Sequence, residues 1–235
     1  MEKHDIVYLV KDAPANEELR YSLRSVCENF QFRKIWFYGG RPSYLMPDEW
    51  VYVLQNQRTK WMRTTNMIRK ICEDPDITED WWLFNDDFFV LDPMASHITW
   101  PCSGDIYRHI VGIEDRHGSI TNYTKELRRM ARQLTERGFD TRNYALHMPI
   151  LINKAKALET LDAFPGCPMF RSLYGNYNAL ADKGGIAMKD CKIAGLEQVP
   201  DEEAVYTSTT DESFASGKVG EFIRKKFPEP CRYEL

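Results

Sequence analysis

The sequence predicts an α/β fold, a single domain whose mixed or parallel sheet is covered by helices. Three observations carry this. Apolar, β-branched runs alternate with helical patterns in the first third of the chain, the order in which strands are joined through helices. The stretch Trp81-Trp82-Leu83-Phe84-Asn85-Asp86-Asp87-Phe88-Phe89-Val90 is apolar on both sides of three polar residues. It reads as a buried central strand that delivers two carboxylates to the mouth of a cleft, although its period alone does not exclude a helix. The length, 235 residues with 43% hydrophobic, suits one domain or one domain with an insertion, and no internal repeat or low-complexity tract divides it.

Each element follows from local pattern. Ile6-Val7-Tyr8-Leu9-Val10 is a strand by its β-branched content, and Lys11-Asp12-Ala13-Pro14-Ala15-Asn16 breaks it. Glu17 to Phe30 is a helix, with Leu19, Leu23, Val26 and Cys27 on one face, Asn16 as its cap, and Glu17 and Glu18 at its positive end. Lys34 to Tyr38 is a second strand, Gly39-Gly40-Arg41-Pro42 a tight turn, and Trp50 to Leu54 a third strand. The stretch from Arg58 to Asn66 is polar and basic, including Lys60 and Arg63; Met67 to Cys72 is helical, and Asp74 to Asp80 an acidic loop. In residues 91–122, Ile98-Thr99-Trp100 reads as a short strand and Gly104, Gly112 and Gly118 as loops. Tyr123 to Arg137 is a long amphipathic helix, with Leu127, Met130, Ala131 and Leu134 inward and Lys125, Arg128, Arg129, Arg132 and Arg137 outward. Lys154 to Phe164 and Val219 to Phe227 are further helices, and Thr207 to Ser213 is a polar loop. Segment 91–143 is expected to be an insertion on the face of a domain spanning 1–235.

Composition narrows the function classes. The net charge is -4 and scattered, which speaks against a general nucleic-acid binder, since backbone binding leaves a basic footprint. The six cysteines form no C-x-x-C pair, so a zinc site is not expected; a reduced compartment is, with Cys27 and Cys72 as small core residues. Met1 to Asp5 leads straight into a strand without a signal-peptide core, and no run reaches the ~18 apolar residues of a membrane helix. A cytoplasmic protein is the expectation.

Several residues are candidates for chemistry. Adjacent carboxylates repel, so Asp86 and Asp87 either take a hard cation such as Mg²⁺ or Mn²⁺, which also holds substrate phosphate, or cap the next element as a turn. The loop after the first strand lies where open α/β sheets bind ligands. Arg20 and Arg24, one helical turn apart near it, face either a ligand or solvent. His147 stands among apolar residues before a proline, the setting of a hydrogen-bonded core histidine. Arg171 lies among aromatics, suited to clamp a phosphate or to sit in a buried ion pair. The basic face of 125–137 is either solvated or a dock for an anionic acceptor.

In four blocks, taken in order, the chain resembles the Stealth family of sugar-phosphate transferases, and more broadly the GT-A-fold glycosyltransferases. The blocks are Asp5-Ile6-Val7-Tyr8 with Asp12; Glu18 to Ser25 through Gly39-Gly40-Arg41-Pro42 to Asn85-Asp86-Asp87-Phe88-Phe89; His147-Met148-Pro149 with Phe170-Arg171-Ser172; and Thr210-Asp211 with Phe227 to Glu234. Two positions depart: Arg69 stands where the family carries a glutamate, and Thr210 where it usually carries asparagine. The charge reversal at Arg69 puts glycosyl transfer beside sugar-1-phosphate transfer.

The resemblance implies a GT-A-like, Rossmann-like mixed sheet and a metal-dependent glycosyltransferase that moves a sugar from a nucleotide-sugar donor to an acceptor hydroxyl. Asp86 and Asp87 would hold Mg²⁺ or Mn²⁺. Asp87, His147 and Arg171 would be catalytic, with His147 either base or phosphate ligand. Val10, Lys11, Asp12, Arg20, Arg24, Gly39, Gly40, Arg41, Arg69 and Asp211 would bind the donor. The alternatives are a Stealth-type sugar-1-phosphate transferase acting on a glycan, a phage-type glycosyltransferase acting on hydroxymethylated bases in DNA, and a non-catalytic nucleotide-sugar binding domain. The acceptor is accordingly a glycan or modified DNA.

Overall fold

The structure, a computed structural model, describes residues 3–55 and 59–235. Arg58, part of the basic stretch noted above, lies outside the described residues, as do Met1, Glu2 and the Lys60 side chain. The central sheet has five strands: β1 (Asp5–Val10), β2 (Ile35–Gly39), β3 (Glu49–Val51), β4 (Asp80–Asn85) and, further along the chain, β8 (Ile150–Asn153). Their order is β3-β2-β1-β4-β8, with β8 antiparallel to β4 and the other pairings parallel. Helices α1 (Glu17–Asn29) and α2 (Lys60–Glu73) connect the parallel strands. The apolar runs of β1, β2 and β4 are buried on both faces, as parallel strands under helical cover require.

One face of the sheet packs Ile6, Tyr8, Phe37 and Phe84 against Leu19, Leu23 and Val26 of α1. The other packs Val7, Trp36, Tyr38 and Trp81 against Met67, Ile68 and Ile71 of α2 and against two later helices, α5 (Lys154–Ala163) and α6 (Phe170–Tyr177). Between β4 and β8 run β5 (Phe88–Val90), β6 (Pro101–Asp105), α3 (Ile106–His117), α4 (Asn122–Glu136) and β7 (Arg142–Asn143). Helices α3 and α4 bury Ile106, Ile110, Leu127, Met130 and Leu134 in a cluster of their own, closed by Phe164, Met169 and Leu173. After α6 come β9 (Ile186–Ala187), β10 (Lys192–Ile193), β11 (Tyr206–Thr209), α7 (Asp211–Ser216) and α8 (Lys218–Lys226). Strand β5 joins β11 and β10 in a second sheet, and β6 joins β7 and β9 in a third.

The central strand expected from the stretch 81–90 is β4, which ends at Asn85; Asp86-Asp87 form a turn, and the apolar run after it, β5, belongs to another sheet. Five sequence expectations are corrected. Helix α2 starts at Lys60 rather than Met67, because Thr59 caps it by accepting from the Met62 N–H at 3.3 Å. The strand expected at 98–100 lies at Pro101–Asp105. Gly104 is in that strand, Gly112 is inside α3, and only Gly118 (φ 65°) ends an element. Thr207-Ser208-Thr209 is a buried strand, its hydroxyls hydrogen-bonded and its threonines β-branched, rather than a loop. Cys27 is exposed, on the rim of the apolar face of α1, whereas Cys72 is buried.

The C-terminal segment closes the sheet. Arg24 makes a paired contact to Glu234, Nε to Oε1 and Nη2 to Oε2 each at 2.7 Å, and its Nη1 donates to the carbonyls of Phe227 and Pro228. Tyr233 is buried beside Phe37. Removing one partner of a buried ion pair costs roughly 3–5 kcal/mol. Arg24→Ala is therefore expected to lower the unfolding free energy by about 3 kcal/mol in urea denaturation.

Candidate active site

The topology explains why distant residues meet. Strand β4 runs outward and ends at Asn85, while β8 runs back beside it, with Leu83 opposite Ile150. The entry to β8, His147-Met148-Pro149, therefore lies at the sheet edge where Asp86 and Asp87 turn. β1 and β2 end at the same edge, with Val10 opposite Gly39. Gly39 has φ 121°, and a Cβ there would stand 2.2 Å from the Val10 carbonyl oxygen. A Cβ on Gly40 would stand 2.7 Å from the Cα of Asp12. The two turns close on each other only because both residues are glycine.

Asp86 accepts from Asn16 Nδ2 at 2.5 Å. Asn16 thus caps α1, accepting from the Leu19 N–H, and holds the acidic turn with the same side chain. Asp87 Oδ2 accepts from Lys192 Nζ at 3.2 Å and from Ser208 Oγ at 3.1 Å. Glu18, in the first turn of α1 and buried, accepts from Thr209 Oγ1 at 2.7 Å and from Lys11 Nζ at 3.4 Å. Lys11 also pairs with exposed Asp211 at 3.1 Å. Four carboxylates, of Glu18, Asp86, Asp87 and Asp211, thus face two ammonium groups, of Lys11 and Lys192.

The ionisation of the cluster reflects this imbalance. Burial, then the charge of Asp87, lifts Asp86 to about 6, against the Asn16 hydrogen bond and Lys11. Burial lifts Glu18 to about 7, against Thr209 and Lys11, with Asp87 and Asp86 adding to the rise. Lys11 is displaced down by burial, yet its bond to Asp211 and the charges of Asp86 and Glu18 leave it above its ordinary value.

His147 is no core histidine. Its side chain is partly exposed, its ring Nδ1 lies 2.8 Å from Asp190 Oδ2, and its backbone N–H donates to Asp190 Oδ1 at 2.9 Å. Burial pushes the Asp190 carboxyl up, but the hydrogen bonds and charge of His147 outweigh it and hold the group below the usual carboxylate range. With Nδ1–H donated to Asp190, Nε2 is the nitrogen left to accept a proton. Arg171 donates from Nη1 to the carbonyls of Leu146 (3.2 Å) and Met148 (2.6 Å) and lies over the Phe88 ring. Its Nη2 is buried and has no hydrogen-bond partner among the described residues. Burial pulls the guanidinium down to about 10, against the charges of Asp87 and Asp190. The ion-pair alternative for Arg171 does not hold: the side chain is buried, but carbonyls rather than a carboxylate hold it.

Val10, Lys11, Asp12, Gly39, Gly40, Asp86, Asp87, His147, Arg171 and Asp211 are thus gathered at one edge. Arg41 stands outside the cluster, over the exposed Trp50 ring at 5.5 Å. Arg20 lies over Tyr44 at 4.3 Å and 3.6 Å from Glu234, and Arg24 is fully engaged by the C-terminal segment, so neither guanidinium is directed at the acidic turn. Arg69 pairs with Asp162 of α5 at 2.7 Å, near the end of α2 that leads into β4; the loop between them, where Thr78 accepts from the Asp5 N–H, lies at the start of β1 and hence at the opposite sheet edge. The basic face of α4 is largely engaged: Arg128 with Glu114, Arg129 with Glu126, Arg132 with Glu136, and Arg137 with the Ala163 carbonyl. Sequence reasoning missed Glu18, Asp190, Lys192, Ser208 and Thr209. Only the run Val205-Tyr206-Thr207-Ser208-Thr209 carried a usable signal, its β-branched pattern.

Among the described residues, no group of three or more His, Cys, Asp or Glu side chains is arranged to hold a metal ion. The pair Asp86 and Asp87 nevertheless suits Mg²⁺ or Mn²⁺ held by one or two carboxylates with substrate phosphates completing the shell. Burial raises Asp86 first and the charge of Asp87 second; it is this second contribution that such an ion would offset.

The fold is that of GT-A glycosyltransferases, a mixed sheet with flanking helices. The galactosyltransferase LgtC, solved in complex with donor and acceptor sugar analogs, matches with a TM-score of 0.50 at 12% identity, over 97% of this chain and 98% of that one. The apo form of the glycosyltransferase GlyE from Streptococcus pneumoniae TIGR4 matches with a TM-score of 0.46 at 10% identity, over 97% of this chain and 61% of its own. A second GlyE structure matches with a TM-score of 0.34 at 9% identity, over 55% of this chain and 43% of its own. The chain thus spans less than two thirds of the GlyE chains. No family model and no curated protein matches it, so nothing singles out the Stealth family. No helix among the described residues is long and apolar enough to cross a membrane.

The raised carboxyls set a pH dependence. Glu18 and Asp86 keep their protons to higher pH folded than unfolded, so the folded chain binds more protons between about pH 4 and pH 7. Their contribution favours folding fully below about pH 4 and is lost as pH rises through their folded values. Asp86→Asn is expected to raise the melting midpoint at pH 8 in chelator, and the gain should vanish near pH 4. An equal gain at both pH values would show that the effect is not ionisation.

Proposed function

We propose that this chain is a metal-assisted glycosyltransferase that moves a sugar from a nucleotide-sugar donor to an acceptor hydroxyl. The observation that carries this reading is the convergence of the Asp86-Asp87 turn, Lys192, Arg171 and the His147–Asp190 pair at one sheet edge. The donor nucleoside would lie against Val10 to Asp12 and Gly39-Gly40. Asp86 and Asp87 would hold Mg²⁺ or Mn²⁺, which when bound supplies Lewis-acid neutralisation of the diphosphate. Lys11 and Lys192, already at the carboxylates, are placed to turn to phosphate oxygens, and Arg171 adds positive charge behind them. His147 takes the acceptor proton on Nε2 as the acceptor oxygen bonds to the sugar carbon. The bond from that carbon to the phosphate oxygen breaks, and the nucleoside diphosphate leaves with the electron pair. Asp190 holds the imidazole in the tautomer this requires.

Sugar-1-phosphate transfer remains a second reading, favoured by one observation: the Asn85-Asp86-Asp87, His147-Met148-Pro149 and Phe170-Arg171-Ser172 blocks, far apart in sequence, adjoin in space. The two readings differ in what is released. Incubation with Mn²⁺ and a panel of nucleotide sugars is expected to release a nucleoside diphosphate; a monophosphate would mean that the phosphate travelled with the sugar. Neither product with any donor would leave a binding domain only.

Asp87→Ala is expected to abolish turnover, and full activity in excess chelator would remove the metal from the scheme. His147→Ala should lower turnover by roughly 10²–10⁴-fold, measured at saturating donor. Full turnover in that variant would exclude the base role.

A further inference from the structure

We infer that Cys27 and Cys231 are a modification site, where a reversible disulfide latches the C-terminal segment onto α1. The inference goes beyond the transferase reading and does not depend on it. All six cysteines are thiols in this structure. Cys72, Cys102 and Cys167 are buried, and Cys191 donates to the His147 carbonyl at 2.9 Å. Cys27 and Cys231 differ from these. Cys27 is exposed, Cys231 is half-buried, and both line one cleft of about 690 Å³, whose wall also includes Arg24, Phe227 and Pro228.

Contacts made by their neighbours bring the two cysteines together. Glu234 Oε1 accepts from Arg24 Nε at 2.7 Å and from the Cys231 N–H at 3.0 Å, so one carboxylate oxygen joins α1 to the Cys231 backbone. Cys27 follows Arg24 by three residues, one turn along the same side of the helix. Arg24 Nη1 donates to the Phe227 and Pro228 carbonyls at 3.1 and 2.7 Å, which fixes the chain ahead of Cys231. Pro228 and Pro230 restrict that chain further. The two thiols also interact with each other. Cys27, as donor, holds the Cys231 thiol below its usual range, and Cys231, then burial, pushes the Cys27 thiol well up. Cys231 is therefore the sulfur that more readily becomes the thiolate, the nucleophile of disulfide exchange.

The oxidant is a low-molecular-weight disulfide such as oxidised glutathione. The Cys231 thiolate attacks one of its sulfurs, the S–S bond breaks, and one glutathione leaves with the electron pair. Cys27 then gives its proton to solvent, and its sulfur attacks Cys231 Sγ as the second glutathione leaves. Two cysteines are oxidised and one glutathione disulfide is reduced to two thiols, which take up the two protons the cysteines lose. The bond closes a loop that runs from α1 almost to the end of the chain, and a cross-link over so long a loop restricts the unfolded chain strongly. The segment it ties down carries Tyr233, buried beside Phe37 of β2, and Glu234, the partner of Arg24.

The test uses the full chain, reduced and then equilibrated with mixtures of reduced and oxidised glutathione, quenched with acid, alkylated and mapped by peptide mass spectrometry. The Cys27 and Cys231 thiols are expected to disappear together, as a Cys27–Cys231 linkage, while the other cysteines remain open to alkylation on unfolding. The melting midpoint of the oxidised chain should rise by roughly 5 °C or more and return on treatment with dithiothreitol. Neither change should appear in Cys27→Ser or Cys231→Ser. Should either variant fail to fold, the map and the melting shift of the wild-type chain decide alone. Both thiols alkylated at every glutathione ratio, glutathione retained on either as a lasting adduct, a linkage through another cysteine, or a midpoint indifferent to oxidation would overturn the inference. None of these readouts involves nucleotide release, so failure of the transferase reading leaves the latch standing, and failure of the latch leaves that reading standing.

Discussion

The surplus of negative charge where β4 ends is the constraint around which this molecule is arranged. Two adjacent carboxylates in a turn between buried strands are costly unless other groups answer them. The answer is drawn from the length of the chain: Asn16 from the start of α1, Lys192 from β10 and Ser208 from β11. Strand β5 continues from the turn and pairs with β11, which is how Ser208 arrives. The second sheet is, in effect, held against the first through the acidic turn and the Ser22 bond to the Phe88 carbonyl.

Compensation is incomplete, and that incompleteness connects structure to function. Glu18 and Asp86 both keep their protons well above the ordinary carboxylate range, because burial and the neighbouring carboxylates oppose their ionisation. Stability is given up at the sheet edge, and on the proposed reading a bound cation would restore it. On the other side, Arg171 is buried, hydrogen-bonded to two carbonyls and stacked over Phe88, with Nη2 unpartnered among the described residues; the charges of Asp87 and Asp190 work against the effect of its burial. Opposite charges held apart at one mouth form a pre-oriented environment for a group that is itself charged and bound to a cation. The His147–Asp190 pair stands at the rim of this mouth, where a neutral hydroxyl would approach.

Residues that reach this site by local pattern were legible, and those that reach it by pairing were not. Asn16 as helix cap, the Gly39-Gly40 turn and the acidic turn itself are short-range features with recognisable chemistry. Asp190 and Lys192 lie in a stretch without period, and their roles come from the antiparallel return of β8 and the pairing of β10 with β11. Arg20 and Arg24 show the converse failure. Their spacing near a binding loop suggested a ligand, but helix α1 turns them toward Glu234 and the C-terminal segment. The basic face of α4 likewise looked free only because its partners, such as Glu114, sit on a different helix.

By itself the sequence determined the α/β class, the four parallel strands of the central sheet and the helix that follows the first of them, because burial periodicity and capping act over a few residues; it did not mark β8 as a strand. It also determined that a pair of acids would interrupt the most apolar stretch. The tertiary structure alone decided which charges meet those acids, which histidine nitrogen remains open and which arginines are consumed. Those outcomes depend on strand order and direction, which bring together groups as far apart as Lys11 and Asp211, and no local pattern encodes such a meeting.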